Sequence, residues 1–207
     1  MATSIRMVSQ KDLDAVIEVH NNAFEGFFLT NLGPRFLRLY YNSVLEAPDG
    51  ILIGAYQNEN LIGFCAACCK SAGFNSSLIR KNWFKFGICG IRLLLTCPMA
   101  IIRLIRNLRK TGITDDDGSY AELMSIAVNQ DVQNSGAGKA MLDYLEKVLM
   151  QDDIELLSLT TDKLDNEKTL GFYSKRGFSE LYTFTAYPNR LMYRLIKELK
   201  NHSEPVL

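Results

Sequence analysis

Gly136-Ala137-Gly138-Lys139 stands between an apolar run and an amphipathic one, and that placement gives it chemistry. The apolar run, Tyr120-Ala121-Glu122-Leu123-Met124-Ser125-Ile126-Ala127-Val128, reads as a strand, and Asn129 to Ser135 link it to the glycines. A strand that feeds a Gly-rich turn opening a helix leaves the first helical amides without partners. With the helix dipole behind them, those amides form an anion site. Glycine lets the backbone approach a phosphate closely. Two familiar phosphate loops fit poorly: Lys139 lacks the flanking pattern of a P-loop, and Met141 takes the third glycine position of a dinucleotide fingerprint. Glu122 is the ionisable side chain of the strand. Alternation puts it on one face with Met124, Ile126 and Val128. A carboxylate on an apolar face is functional or paired, because an unpaired buried charge is costly.

Other elements must hold these groups. Ser9-Gln10-Lys11-Asp12 resembles a capping box, with Asp for the usual Glu or Gln, and Leu13, Val16, Ile17 and Phe24 follow at helical spacing. Pro34 suits the first position of a second helix carrying Phe36, Leu37, Leu39, Tyr40 and Val44. Between the two helices, residues 26–30 read as an apolar, aromatic loop. Strands are predicted over residues 51–56 and 61–68, joined as a hairpin, then over 120–128, 155–161, 180–185 and 190–197. Helices are predicted over 138–150 and 166–176, the second closed by Gly177. The order predicts one mixed α/β sheet.

Length and composition bound the rest. The chain of 207 residues is 47% hydrophobic and 22% charged, which excludes disordered, collagen-like and coiled-coil classes and suits one domain over 1–207. Net charge is zero, so no whole-protein nucleic-acid footprint is expected. That zero hides an asymmetry. Lys70 to Thr114 carries nine basic residues and no acidic one, and the remainder has 14 basic against 23 acidic. Residues 70–118 therefore read as a basic, apolar insertion, too often interrupted by Arg92, Pro98 and Arg103 to span a membrane. Five cysteines, an odd number, and no secretory leader point to reduced thiols and a cytoplasmic location. Cys65 and Cys68 form a C-x-x-C, but with His20 and His202 far away in sequence it reads as a buried strand rather than a metal site.

Gln133-Asn134-Ser135-Gly136-Ala137-Gly138 fits the pattern Gln or Arg, two residues, Gly, one residue, Gly or Ala, and so resembles the cofactor motif of the GCN5-related N-acetyltransferases. A second signature of that family, an Asn and then a helix ending Phe-Tyr-x-x-x-Gly-Phe, is matched by Asn166 and Phe172-Tyr173-Ser174-Lys175-Arg176-Gly177-Phe178. The resemblance implies a mixed, mostly antiparallel sheet whose central parallel strands splay apart to admit acetyl-CoA. It implies that the pyrophosphate sits on the amides of Gln133, Asn134, Ser135, Gly136, Ala137, Gly138 and Lys139. The pantetheine would pair strand-like with Ile126, Ala127 and Val128, and Asn166 would touch the cofactor. Asn134 departs from the pattern, since many members carry Arg or Lys there. Tyr173 matches the family tyrosine that protonates the departing thiolate. The alternative for Tyr173 is an aromatic at the core edge. Glu122, fourteen residues before Gly136, matches the catalytic glutamate of the histone-modifying branch; its alternative is a structural ion pair with a basic residue of the insertion.

The resemblance thus predicts transfer of an acetyl group to an amine. The basic insertion, with Arg103, Arg106 and Lys110 on one helical stripe, suggests a phosphate-bearing small acceptor such as a nucleotide-linked amino sugar. An anionic membrane surface is a second reading of the same charges. Phe27 and Phe28 lie in a segment resembling one found in bacterial surface-polysaccharide acetyltransferases, and are expected at the acceptor. Trp83, Phe84 and Phe86 are candidates for a pocket wall or for core, and His20 for a proton acceptor or a structural group. Asp162 and Asp165 are expected to cap the helix at Asn166. A protein or peptide acceptor, or a scaffold without turnover, are the competing functions. Dimers are common in this fold, but the sequence supplies no interface.

Overall fold

In the computed structural model, residues 3–96, 116–132, 135–186 and 189–199 are described. Arg103, Arg106, Lys110, Gln133 and Asn134 lie outside them. Strand β1 (Ser4–Met7) leads through a 3-10 turn (Gln10–Asp12) into α1 (Leu13–Ala23). Asp12 accepts from the Ser9 amide at 3.0 Å and from its hydroxyl at 2.6 Å, which is the reciprocal arrangement the sequence suggested. The aromatic loop is partly helical: α2 spans Phe28–Asn31, before α3 (Pro34–Leu45). Strands β2 (Gly50–Gln57) and β3 (Asn60–Cys68) form the hairpin. The insertion opens with two helices, α4 (Phe74–Lys81) and α5 (Trp83–Thr96). Then come β4 (Ala121–Val128), α6 (Ala137–Gln151), β5 (Leu156–Asp162), α7 (Glu167–Lys175), β6 (Ser179–Ala186) and β7 (Arg190–Glu198).

The seven strands form one sheet in the order β1-β2-β3-β4-β5-β7-β6. All neighbours are antiparallel except β4 and β5. That parallel pair keeps only the register Ala121↔Leu157, Glu122↔Ser158 and Leu123↔Leu159. Beyond it the strands part, as the resemblance predicted. On the β5 side, the β4 backbone from Met124 to Val128 therefore has no ladder partner.

Helices hold both faces. On one, Met141, Leu142, Leu145 and Leu149 of α6 pack over Ile53, Cys65, Leu123 and Leu157. On the other, Val16 and Ile17 of α1 and Leu37 and Tyr41 of α3 pack over Leu52, Tyr56 and Phe64. Each fully buried aliphatic chain contributes roughly 1.5–3 kcal/mol. The two layers thus fix the strands on either side of the gap.

A bulge changes the reading of β4. Ala66 pairs with Ser125 but Ala67 pairs with Leu123, so Met124 is an extra residue. The expectation that Glu122 shares a face with Met124, Ile126 and Val128 is corrected on this point. Ile126 and Val128 pack on the α6 side, whereas Met124 faces α3, its sulfur 3.4 Å from the Tyr40 hydroxyl. Glu122, between Ala121 and Leu123 of the α6-side core, also points away from α6.

Candidate active site

The gap between β4 and β5 is bordered by β4, by the start of α6 and by the end of β5. At its far end, β4 runs through a 3-10 turn (Gln130–Val132) toward the start of α6. Gly136 caps that helix with φ +83, a left-handed backbone that favours glycine, and a Cβ there would meet nothing within 4 Å. The Ala137 amide donates to Ser135 Oγ at 3.4 Å, and Ala140 already bonds to the Gly136 carbonyl. The amides of Gly138 and Lys139 find no carbonyl among the described residues. Among the described residues these two donors have no partner, at the positive end of a fifteen-residue helix.

Tyr173 enters from α7, on the α6 side. Its ring is 94% buried and meets Phe172 and Phe178 edge-on, at 5.2 and 5.4 Å. Among the described residues its hydroxyl makes no hydrogen bond, yet it is not one of the fully enclosed polar atoms. The ring is held in core. Burial, helped by the Cys65 thiol of β3, pushes the phenol above its ordinary range, so it is protonated at neutral pH. Asn166 donates to Thr161 Oγ1 at 2.7 Å and to the Asp162 carbonyl at 2.9 Å. It thereby ties the end of β5 to the start of α7.

Glu122 lies at the other end of the gap, where β4 and β5 are still paired. One carboxylate oxygen accepts from Arg194 Nη1 of β7 at 2.7 Å, the other from Ser71 Oγ. Ser158 of β5 lies between, its hydroxyl 3.4 Å from the same Arg194 nitrogen. Burial works against the Arg194 charge, but Glu122 beside it outweighs that and holds the guanidinium above its ordinary value. Among the described residues the ion-pair partner is Arg194, in the last strand. Sequence reasoning missed Arg194; its signal was one cation among the apolar residues of 191–196. A second polar group adjoins this one: the Tyr120 and Tyr182 hydroxyls both donate to Asp116 at 2.6 Å.

The other candidates separate. Phe27 is partly exposed, edge-on to Phe24 at 5.6 Å and 5.2 Å from the Arg190 guanidinium, so the α1–α2 loop meets the β6–β7 hairpin. Phe28 joins the small core of Leu32 and Phe36. Trp83 and Phe84 are exposed: α5 seats Phe86 and Cys89 against α2 and α3, and helical geometry turns Trp83 and Phe84 outward. Asp162 does not cap α7. It ends β5 opposite the start of β7, and Arg190 donates to it at 2.9 and 2.5 Å. Asp165 takes a left-handed φ of 53 in the turn before Asn166. His20 is 98% buried against Phe24, Tyr41 and Phe64, with Nδ1 2.7 Å from the Tyr41 hydroxyl, and burial pushes its pKa down to about 4. Cys65 and Cys68 are free and buried, and burial pushes the Cys68 thiol up to about 12.

The sequence matches the Acetyltransferase (GNAT) family over residues 13–178. The chain belongs to the GNAT family. It is an N-acetyltransferase, and acetyl-CoA is the acyl donor of such enzymes. Solved structures of GNAT proteins share its fold at low identity. The ribosomal-protein-S18-alanine N-acetyltransferase from Escherichia coli is 16% identical over 100% of this chain and 99% of its own, with a TM-score of 0.60. The PaiA N-acetyltransferase from Thermoplasma acidophilum, solved with coenzyme A, is 16% identical over 96% and 99%, at 0.57. An aminoglycoside 6'-acetyltransferase type Ii is 16% identical over 96% and 98%, at 0.61. A search of curated proteins by sequence found no match. A strand edge unpaired on the β5 side leads toward two helix amides that have no partner among the described residues. Among the described residues no helix is long and apolar enough to cross a membrane.

Proposed function

We propose that this GNAT enzyme moves the acetyl group of acetyl-CoA to the primary amine of a small molecule. The observation that carries the reading is the β4 edge, Met124–Val128, which has no ladder partner on the β5 side and leads toward the start of α6, where the amides of Gly138 and Lys139 find no carbonyl among the described residues. Ile126, Ala127 and Val128 would hold the pantetheine amides strand-like, and Ser135, Gly136, Ala137, Gly138 and Lys139 the pyrophosphate. Gln133 and Asn134 belong to the same loop by sequence. Asn166 keeps the β5 end turned toward α7 and so keeps the gap open. When bound, the donor supplies a thioester, an acyl group activated toward amines.

The chain's own residues then divide the proton work. An amine must be neutral to attack, so a base must take its proton. Glu122 faces away from α6, toward the side lined by α1 to α3, and Arg194 and Ser71 occupy only part of its acceptor capacity. It is the proposed base. Tyr173, on the other side of the gap, holds its proton at Oη for a leaving sulfur.

A small acceptor is favoured because Phe27 and Arg190 meet across the acceptor side and narrow the groove that a peptide would need. The basic insertion favours one bearing phosphate, such as a nucleotide-linked amino sugar, with Arg103 and Arg106 as its contacts. The test is thiol release from acetyl-CoA against a panel of nucleotide-linked amino sugars, simple amines and peptides. Turnover with the amino sugars, and a raised acceptor KM in R103A/R106A, support the reading. Faster turnover with peptides replaces it with a protein acetyltransferase, and no thiol release with any amine leaves a cofactor-binding scaffold.

A further inference from the structure

Helix α5 is apolar on two opposite sides, and among the described residues only one of them is packed. Phe86 and Cys89 pack against the core of α2 and α3, with Phe86 edge-on to Phe36 at 5.8 Å. Trp83, Phe84, Ile88 and Ile91 point outward and are 70%, 63%, 55% and 65% exposed. A helix that is apolar all round is ordinarily buried all round, so this outer face calls for an occupant. Its rim identifies one. Arg80, Lys81 and Lys85 are exposed beside it, and the chain from Lys70 to Thr114 contains no acidic residue.

We infer that the outer face of α5 docks the enzyme onto an anionic phospholipid bilayer. Aromatic and aliphatic side chains would enter the acyl boundary, and Arg80, Lys81 and Lys85 would meet the lipid phosphates. Tryptophan is favoured at that depth, with an apolar body and a polar N–H. A helix of fourteen residues is about 21 Å long, short of the roughly 30 Å hydrocarbon core, so α5 lies on the bilayer and does not cross it. A second copy of the chain is a poorer occupant, because a two-fold contact through this face sets its cations against themselves. Since α5 packs on α2 and α3, docking would hold the Phe27 side of the enzyme near the lipid surface. This inference stands apart from the acceptor assignment, since its test reads binding and not turnover.

The single tryptophan of the chain, Trp83, is itself the probe. Full-length protein is titrated with vesicles of phosphatidylcholine alone and of phosphatidylcholine with phosphatidylglycerol, at low and high salt. A blue shift of Trp83 emission and co-sedimentation with the anionic vesicles, weakened by salt, is the expected result. K81Q and K85Q should each weaken binding about fivefold. I88D should abolish it while leaving thiol release in buffer unchanged. Emission that stays red with both vesicles, equal binding to neutral vesicles, or emission already blue in buffer would each overturn the inference. The last of these would mean that protein covers the face.

Discussion

Glu122 and Arg194 stand on strands that are not neighbours, β4 and β7, yet their side chains meet at 2.7 Å over Ser158 of the strand between. All three project from the same face, because Ala121, Leu123, Leu157, Leu159 and Leu195 occupy the other. The pair therefore crosses the base of the gap and joins its two banks. A base role and a structural role make different demands on it. E122Q keeps shape and hydrogen bonding but cannot accept a proton. As the base, its loss should lower kcat/KM about 10²–10⁴-fold. R194M should instead cost stability, about 1.5–3 kcal/mol in denaturant unfolding, by leaving Glu122 without its charged donor. If E122Q and R194M lose activity equally and both unfold early, Glu122 is a strut and not a base.

Tyr173 gives the opposite separation. Among the described residues its hydroxyl has no hydrogen-bond partner to lose, so Y173F leaves none of them unsatisfied. Thermal unfolding and the KM for acetyl-CoA should stay near wild type while kcat falls about 10²–10³-fold. A leaving group of lower pKa needs less help, so the deficit should shrink with a more acidic thioester donor. Unchanged kcat would return Tyr173 to a packing role.

The layout that frames these residues was largely legible in the sequence because strands and helices declare their period. The segments predicted at 120–128, 138–150 and 155–161 fall within a residue or two of β4, α6 and β5. What escaped has physical reasons. The bulge at Met124 is silent in a pattern where Leu123, Met124 and Ile126 are all apolar, so the faces of β4 were assigned one residue out of step. Strand β1 is only four residues long and not fully buried, too short for alternation to show. Arg194 looked like an ordinary strand charge, because its partner lies 72 residues earlier and only the sheet order brings them together. Asp162 resembled a helix cap by position, but the β5–β7 register set it beside Arg190. The Gly136 turn and the start of α6 were readable because a glycine and a helix start are local backbone features, which need no distant partner.

That local character can be tested at Gly138. A Cβ there approaches nothing nearer than Val128 Cγ2 at 3.9 Å, so a larger side chain is tolerated by the fold but covers the orphan amides. G138V should raise the KM for acetyl-CoA about tenfold or more. The helix itself should change by less than about 1 kcal/mol. Calorimetric titration with acetyl-CoA and desulfo-CoA should show the same loss for both, because the defect lies at the phosphates and not at the sulfur. A selective loss for acetyl-CoA would place Gly138 near the thioester instead.

His20 sets a pH dependence on stability rather than on catalysis. Burial holds its folded pKa at about 4, against 6.5 for an exposed imidazole. Between those values the unfolded chain binds a proton that the folded chain refuses, so stability falls as pH falls. The contribution is fully present above pH 6.5, declines through the window to 4, and amounts to about 2–3 kcal/mol once spent. Its Nδ1 contact with Tyr41 does not rescue the cation: the imidazolium would still bury an unpartnered Nε2 donor among Phe24 and Phe64. Denaturant unfolding measured from pH 7 to 4 should show this slope in the wild type. H20N cannot titrate there and should lose most of that slope, though it starts from lower stability. An equal slope in both proteins would assign the acid sensitivity to carboxylates, and His20 would then be a packing residue with no titration of its own.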